Sequence, residues 1–244
     1  MREIRLFHDG PLASGECVTL EKSAAQHLGK VLRATVGQPV TLFNGQGGEW
    51  YGKVSLLEGR KAEVSLEEHA EVEREASVDM TLVQGLSRGE RMDYTIQKAV
   101  EVGFSCIQPI VTERCVVKLD ERKREKRHDH WLGIMRSACE QTGRNRVPEL
   151  LPVITMDEYL AAPRRGIRHF MLDPDATGTP ARLARPDTGV GLVIGPEGGF
   201  SETENAHLLA AGFEALRLGS RVLRTETAAV VAAAALLSRW GEYD

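Results

Sequence analysis

Two glycine-bearing segments in the last third of the chain have the residue types expected where backbone meets a nucleotide-like ligand. The first reads Ile-Gly-Pro-Glu-Gly-Gly-Phe-Ser at residues 194–201. It follows an apolar run at 190–194, which has the length of one buried parallel strand. Ser201 and Glu204 have the spacing of a capping box, which predicts a helix start. A strand, a glycine turn and a helix start in this order bring bare backbone to the carboxyl end of a sheet.

The second segment reads Leu-Gly-Ser-Arg-Val-Leu-Arg-Thr-Glu-Thr-Ala at residues 218–228. It predicts a short strand, a glycine, an arginine-bearing loop and an alanine-rich helix over about 227–240. Thr225 is predicted to be the N-cap of that helix, with Glu226 in its first turn, where a carboxylate suits the helix dipole. Two common phosphate-binding loops are excluded, because residues 199–201 lack the lysine of a P-loop and the glycine spacing is not G-x-G-x-x-G.

These two segments together closely resemble the motifs of the SPOUT class of RNA methyltransferases. Within that class they are similar to the enzymes that use S-adenosylmethionine to methylate N3 of a uridine in small-subunit (16S) rRNA. The resemblance extends upstream through residues 84–103 and 138–148 and, more weakly, into the first seventy residues. It implies an α/β SPOUT domain with a mostly parallel sheet and a deep trefoil knot, preceded by a small PUA-like, RNA-binding β-barrel. It also implies a homodimer that needs no metal and acts on 16S rRNA or the assembled small subunit.

Length and composition are compatible with that organisation. The chain has 244 residues, enough for two domains, and its 42% hydrophobic and 27% charged residues are ordinary for a globular protein. No apolar run has membrane-spanning length, and the first residues do not read as a signal peptide. The four cysteines show no metal or redox spacing, so we expect free thiols and a cytoplasmic protein.

The pattern of elements divides the chain into two parts. Short strand candidates, glycine turns and one helix over 23–33 fill the first seventy residues, which indicates a small barrel. After a polar stretch at 67–78, strands and helices alternate, which is typical of a parallel sheet. We therefore predict an RNA-binding domain over 1–72 and a methyltransferase domain over 73–244.

The resemblance implies that three loops form the cofactor pocket, the first of them at the strand end 172–174. Aliphatic side chains would cover the faces of an adenine, and glycines would let backbone approach its edge. The predicted cofactor-binding residues are Leu172, Ile194, Gly195, Glu197, Gly198, Gly199, Leu218, Gly219, Val222 and Leu223.

Two side chains are predicted to act in catalysis. Uridine N3 must lose its proton before or during attack, so a base or a cation beside the developing anion would help. Arg224 is the candidate stabiliser or phosphate clamp, and Glu226 the candidate base or polar orienter. The alternative is that the two residues only pair and cap a helix.

RNA contacts are predicted outside the pocket, although the net charge is −4. Residues 113–146 contain ten Lys or Arg and six Asp or Glu, so this stretch is locally basic. A run such as 120–129 is equally explained as a solvated helix face. The predicted RNA-binding residues are Arg88, Arg91, Lys98, Arg136, Gln141, Arg144 and Arg146.

Two other functions remain open at this point. A related SPOUT enzyme could methylate a ribose 2′-hydroxyl of tRNA or rRNA instead. A protein of this fold could also bind RNA without catalysis. Product analysis separates the first alternative, and S-adenosylmethionine binding the second.

Overall fold

The computed structural model describes residues 4–115, 121–162 and 167–243. Asp120, the first residue of the charge run considered above, lies outside these ranges. The chain forms two compact units: Met1–Glu75 with Arg136–Val147, and Ala76–Met135 with Pro148–Asp244. The predicted division at residue 72 assigned 136–147 to the second domain. In the structure that segment belongs to the first unit, because its side chains bond to groups of that unit.

The first unit is built on a five-stranded sheet. Its strands are β1 Arg5–Phe7, β2 Cys17–Thr19, β3 Pro39–Phe43, β4 Glu49–Glu58 and β5 Lys61–Ala70, in the order β1-β3-β4-β5-β2. Only β1 and β3 pair in parallel. Between β2 and β3, helix α1 Lys22–Gln26 continues into a π-helical turn, His27–Val31.

Alternation along β4 and β5 buries one face of this sheet. Val54, Val64 and Leu66 point into an apolar core, as the period of two in a strand requires. Phe43 is fully buried, and Trp50 packs against this core and contacts the His69 ring, with the ring centroids 4.4 Å apart.

The second unit contains a parallel sheet of seven strands. They are β6 Met80–Gly85, β7 Cys106–Val111, β8 Glu149–Leu150, β9 Ile154–Thr155, β10 Arg168–Leu172, β11 Val190–Ile194 and β12 Glu214–Leu216. The order is β12-β10-β11-β6-β7-β8, and β9 extends the pairing of β7. Every residue of β6 and β11 is buried, which fits central strands of a parallel sheet covered on both faces.

Helices follow most of these strands. They are α2 Glu90–Glu101, α3 Glu121–Thr142, α4 Met156–Ala161, α5 Glu202–Ala210 and α6 Thr225–Arg239, with a 3₁₀ turn at Pro180–Arg182. Helix α4 was not predicted, although Thr155 and Glu158 form a capping box at its start. None of the described helices is long and apolar enough to cross a membrane.

Parallel strands end at one edge of a sheet, so the loops that follow β10, β11 and β12 meet there. These are the loops that carry the predicted cofactor residues.

Candidate active site

A cavity of about 400 Å³ lies at this edge of the second unit. Its walls are three loops, 172–175, 194–200 and 216–224, together with the first turn of α6. Both sequence motifs therefore line a single cavity. All predicted cofactor residues except Gly198 line it, as do both predicted catalytic residues, Arg224 and Glu226.

The loop 194–200 is held close to its neighbours by bare backbone. A Cβ on Gly195 would lie 3.0 Å from the backbone of Gly199, and one on Gly85 would lie 2.6 Å from Pro196. Gly199 itself has φ of +66°, which favours glycine. Substitution of Gly195 or Gly85 would therefore force backbone apart at these contacts, and substitution of Gly199 would strain its backbone.

The predicted capping box after this loop is confirmed. Ser201 accepts the N–H of Glu204, and the Glu204 carboxylate accepts the N–H of Ser201. The other carboxylate oxygen of Glu204 accepts the N–H of Glu113, in the loop after β7, at 2.8 Å. Glu204 thereby fixes the glycine loop to a second segment as well as starting α5.

Gly198 does not line the cavity. Its carbonyl accepts a hydrogen bond from Arg114 at 3.0 Å, and a Cβ there would lie 3.1 Å from the Cβ of Arg114. Gly198 thus faces the loop after β7, and its contact with the cofactor stays a prediction.

The prediction that Thr225 is the N-cap of α6 is wrong. Helix α6 begins at Thr225 itself, and Arg224 occupies the cap position without a side-chain cap bond. The Thr225 hydroxyl instead donates to the carbonyl of Gly195 at 2.6 Å and accepts from Gln84 Nε2 at 2.8 Å. A tertiary contact has displaced the local capping bond that the sequence favours.

Arg224 and Glu226 flank Thr225 and both face the cavity. Arg224 is exposed, whereas Glu226 is half-buried and its Oε2 is a buried atom with no hydrogen-bond partner among the described residues. The two side chains form no ion pair with each other within the described ranges. No ion pair or side-chain cap bond of these two residues is found in the described ranges, and both groups remain available to a ligand, while Glu226 also lies in the first turn of α6, where a carboxylate suits the helix dipole.

A third charged group, Glu197, is bonded at the cavity wall. Its Oε1 accepts the N–H of Arg88 at 3.1 Å and Nη1 of Arg91 at 3.0 Å. Burial alone would raise the pKa of Glu197, but these hydrogen bonds hold the pKa below its ordinary value. Arg91, predicted to bind RNA, is thus a cavity residue paired with Glu197.

The predicted RNA-binding residues divide between the two units. In the second unit the Arg88 side chain is exposed, and Lys98 bonds to Glu101. In the first unit Gln141 is exposed. Arg136 pairs with Asp9 at 3.0 Å, and Arg146, which is exposed, pairs with Glu73 at 3.5 Å.

The structure places Arg144, which is predicted to bind RNA, in a buried ion pair. The side chain is 4% exposed, and its guanidinium bonds both carboxylate oxygens of Glu75. A buried, paired guanidinium holds residues 136–147 to the first unit and presents no free charge to RNA.

Several residues at the cavity were missed by the sequence analysis. Arg217, Arg221 and Asn205 line it, and Gln84 lies behind its wall, bonded to Thr225. The arginines could have been found from their position beside Gly219, since both lie in or next to the second motif. No local signal marks Gln84 or Asn205. Among the described residues, no group of three or more His, Cys, Asp and Glu side chains is placed to hold a metal ion.

Comparison with known proteins identifies the family. A family described as RNA methyltransferase domain matches residues 74–237, and one described as RNA methyltransferase PUA domain matches residues 20–67. The chain therefore belongs to the RNA methyltransferase family whose methyltransferase domain follows a PUA domain, which confirms the SPOUT resemblance and the PUA-like first domain predicted above.

Individual relatives agree over nearly the whole chain. A protein of Buchnera aphidicola named ribosomal RNA small subunit methyltransferase E is 30% identical over 95% of this chain and 94% of its own length. A crystal structure of a protein with that name from Neisseria gonorrhoeae, bound to S-adenosylmethionine, has 35% identity and a TM-score of 0.93, with both chains fully covered. A Legionella pneumophila protein in complex with S-adenosylmethionine has 39% identity and a TM-score of 0.93, with 98% of each chain covered.

Proposed function

We propose that this protein transfers the methyl group of S-adenosylmethionine to N3 of a uridine in small-subunit ribosomal RNA. The observation that carries the proposal is the single cavity that joins both motif loops and has Arg224 and Glu226 in its wall. The names of the similar proteins and the S-adenosylmethionine in two similar structures support the cofactor and the class of substrate.

The cavity fits the cofactor. Its volume of about 400 Å³ lies within the usual range of small-molecule sites. Leu172, Ile194, Leu218 and Leu223 supply apolar cover for a flat adenine, and Gly195 lets backbone reach the purine edge. When bound, S-adenosylmethionine supplies an electrophilic methyl group on a cationic sulfur.

Residues of this chain would bind the uridine and accept its N3 proton. The unpartnered Oε2 of Glu226 is suited to accept the N3 proton, or to hold the base through that proton. The Arg224 guanidinium is suited to stabilise negative charge on a uracil carbonyl oxygen, or to bind the phosphate of the target nucleotide. Since N3 lies on the Watson–Crick edge, the target base must be unpaired or turned out of its stack.

Other cationic side chains, together with one neutral amide, would bind the RNA backbone. We assign this role to Arg217 and Arg221 at the cavity and to exposed Arg88, and we retain it for Lys98, Arg136, Gln141 and Arg146. Arg144 is removed from this group because of its burial against Glu75.

The trefoil knot and the homodimer are also proposals. Helices α2 and α6 pack together, and apolar side chains remain exposed on both: Tyr94 is 47% and Val231 37% exposed. Burial of these side chains against a second copy would remove apolar surface from water. Light scattering after size-exclusion chromatography would show a mass of twice 26.9 kDa, and a monomer would contradict the dimer.

The function is tested with purified protein, labelled S-adenosylmethionine and two substrates, naked 16S rRNA and assembled small subunits. Nucleoside mass spectrometry should find label in 3-methyluridine. Label in a 2′-O-methyl nucleoside would instead support the ribose methyltransferase. RNA binding without any S-adenosylmethionine binding would support the non-catalytic alternative.

A further inference from the structure

We infer that Thr225 and Gln84 are positioning residues for the methyl transfer proposed above, on which this inference rests. Their hydrogen bonds join the two motif loops and so set the direction in which Arg224 and Glu226 enter the cavity. Neither residue has an assigned role in the reaction, and Gln84 does not line the cavity.

The contacts form a buried polar junction between three segments that are distant in sequence. Thr225 Oγ1, at the start of α6, donates to the carbonyl of Gly195 at 2.6 Å. Gln84 Nε2, at the end of β6, donates to Thr225 Oγ1 at 2.8 Å and also lies 3.4 Å from the Gly195 carbonyl. Gln84 is 0% exposed and Thr225 is 7% exposed, so water does not compete freely for these bonds.

The chemistry of the neighbours dictates the orientation of the Gln84 amide. Nε2 faces two carbonyl oxygens, those of Gly85 at 3.0 Å and Gly195, besides the Thr225 hydroxyl. The reversed amide would set its oxygen against both carbonyls, which are acceptors only. Gln84 therefore acts as a donor, and the Thr225 hydroxyl proton is directed to Gly195.

The junction is placed where side-chain packing cannot fix the loops. Loop 194–200 approaches its neighbours backbone to backbone, through Gly195 against Gly199 and Gly85 against Pro196. Interlocking side chains that would set the register of a usual core contact are missing at these glycines. Directional hydrogen bonds to the Gly195 carbonyl are then the means of fixing the loop relative to α6.

The same junction fixes the first turn of α6. That turn has no side-chain cap, since Thr225 is bonded to Gly195 and Arg224 makes no capping bond. Residues one position apart point in directions about 100° apart around a helix, so any rotation of this turn redirects Glu226 and the adjoining Arg224. Reactions between bound groups are sensitive to displacements of about 1 Å. Loss of the Thr225 hydroxyl should therefore lower kcat by more than the accompanying loss of stability would explain.

The test compares Thr225→Val, which keeps the shape and removes the hydroxyl, with Thr225→Ser, which keeps the hydroxyl. Thr95→Val is the matched control, because Thr95 is 0% exposed and its hydroxyl donates to the Arg91 carbonyl within α2, at 2.9 Å. For each variant, kcat and KM are measured with the RNA that the wild-type enzyme methylates. The affinity for S-adenosylmethionine is measured by calorimetry, and the thermal midpoint of unfolding is recorded.

We expect Thr225→Val to lower kcat about tenfold and to weaken S-adenosylmethionine binding, as one lost buried hydrogen bond would. KM for the RNA should stay unchanged, Thr225→Ser should restore most of kcat, and Thr95→Val should keep kcat at a similar loss of thermal midpoint. Gln84→Leu should match Thr225→Val, and the double variant should lose no more than about twofold beyond either single one.

Two results would overturn the inference: a Thr225→Val enzyme with wild-type kcat, or a Thr95→Val enzyme that loses kcat equally. An inactive wild-type enzyme would instead overturn the proposed function. The wild-type measurement therefore separates the two failures.

Discussion

Two groups of arginines, one in each unit, are used in opposite ways. In the first unit Arg5 and Arg74 both bond Glu49, whose side chain is 1% exposed, and Arg5 also donates to Asn145 at 2.6 Å. In the second unit Arg217, Arg221 and Arg224 line the cavity, and their side chains make no hydrogen bond or ion pair within the described ranges. The first group is committed to the fold, and the second is available to a ligand.

The paired arginines of the first unit keep Glu49 ionised. Burial by itself would raise the pKa of this carboxyl, but hydrogen bonds from Arg74, Tyr51, Arg5 and Asn145 lower the pKa to about 2. A carboxylate so strongly held as an anion is a structural element. It anchors the segment 136–147, because Arg5 and Arg74 also donate to the carbonyl of Gly143.

The largest effect is expected from removal of that carboxylate. Glu49→Ala leaves two guanidinium groups without their partner, so the free energy of unfolding should fall by about 3–5 kcal/mol. Urea unfolding measures this change. Glu67→Ala is the control, since Glu67 pairs with Lys53 at the surface with both side chains about half exposed, and its loss should be within about 0.5 kcal/mol.

Acid should reproduce part of this effect. Because the folded-state pKa of Glu49 lies below the ordinary value of 4.5, its stabilisation is present above that value and is lost as the pH falls toward about 2. Unfolding free energies measured between pH 5 and pH 2 should fall more steeply for the wild-type protein than for Glu49→Gln. Parallel curves would contradict the buried anion.

At the cavity, in contrast to Glu49, we expect a substitution to lower turnover strongly and stability little. Glu226→Gln should lower kcat about 100-fold, in the range of a lost acid–base group, and should change the free energy of unfolding by less than about 0.5 kcal/mol. Glu202→Gln changes an exposed carboxylate in the first turn of α5 and should leave kcat unchanged. Unaltered turnover of the Glu226→Gln enzyme would remove this residue from the reaction.

A smaller effect separates two arginines. Arg221→Ala should weaken RNA binding and reduce the slope of log affinity against log salt by about one, as expected for one lost phosphate contact. Arg144→Ala should leave that slope unchanged and lower stability by about 1–3 kcal/mol, because it breaks a buried pair with Glu75. The same salt slope for both variants would contradict the division of arginines.

The elements that were predicted correctly are those whose structure depends on residues adjacent in sequence. The Ser201 capping box, the buried strand β11 and the glycine loop between them were predicted from adjacent residues and are confirmed. The alternation of strands and helices after residue 78 was also predicted from the sequence and is present in the second unit.

The surroundings of Thr225 and Arg144 depend on contacts between segments that are distant in sequence. Thr225 has the sequence context of an N-cap, yet its hydroxyl bonds Gly195, thirty residues away. Arg144 looks like an exposed cation in a basic stretch until Glu75 is placed beside it, 69 residues away. Neither partner has a sequence signal, since nothing in the spacing of 75 and 144, or of 84, 195 and 225, shows that these residues meet.

The proposed cofactor site is tested by a crystal structure of the protein, from crystals grown in the presence of S-adenosylmethionine. We expect ligand density between loops 194–200 and 216–224, with the adenine covered by Leu172 and Leu223 and the methyl group facing Arg224 and Glu226. Ligand density elsewhere on the molecule, or a cavity filled by the protein's own side chains with saturating ligand present, would contradict it.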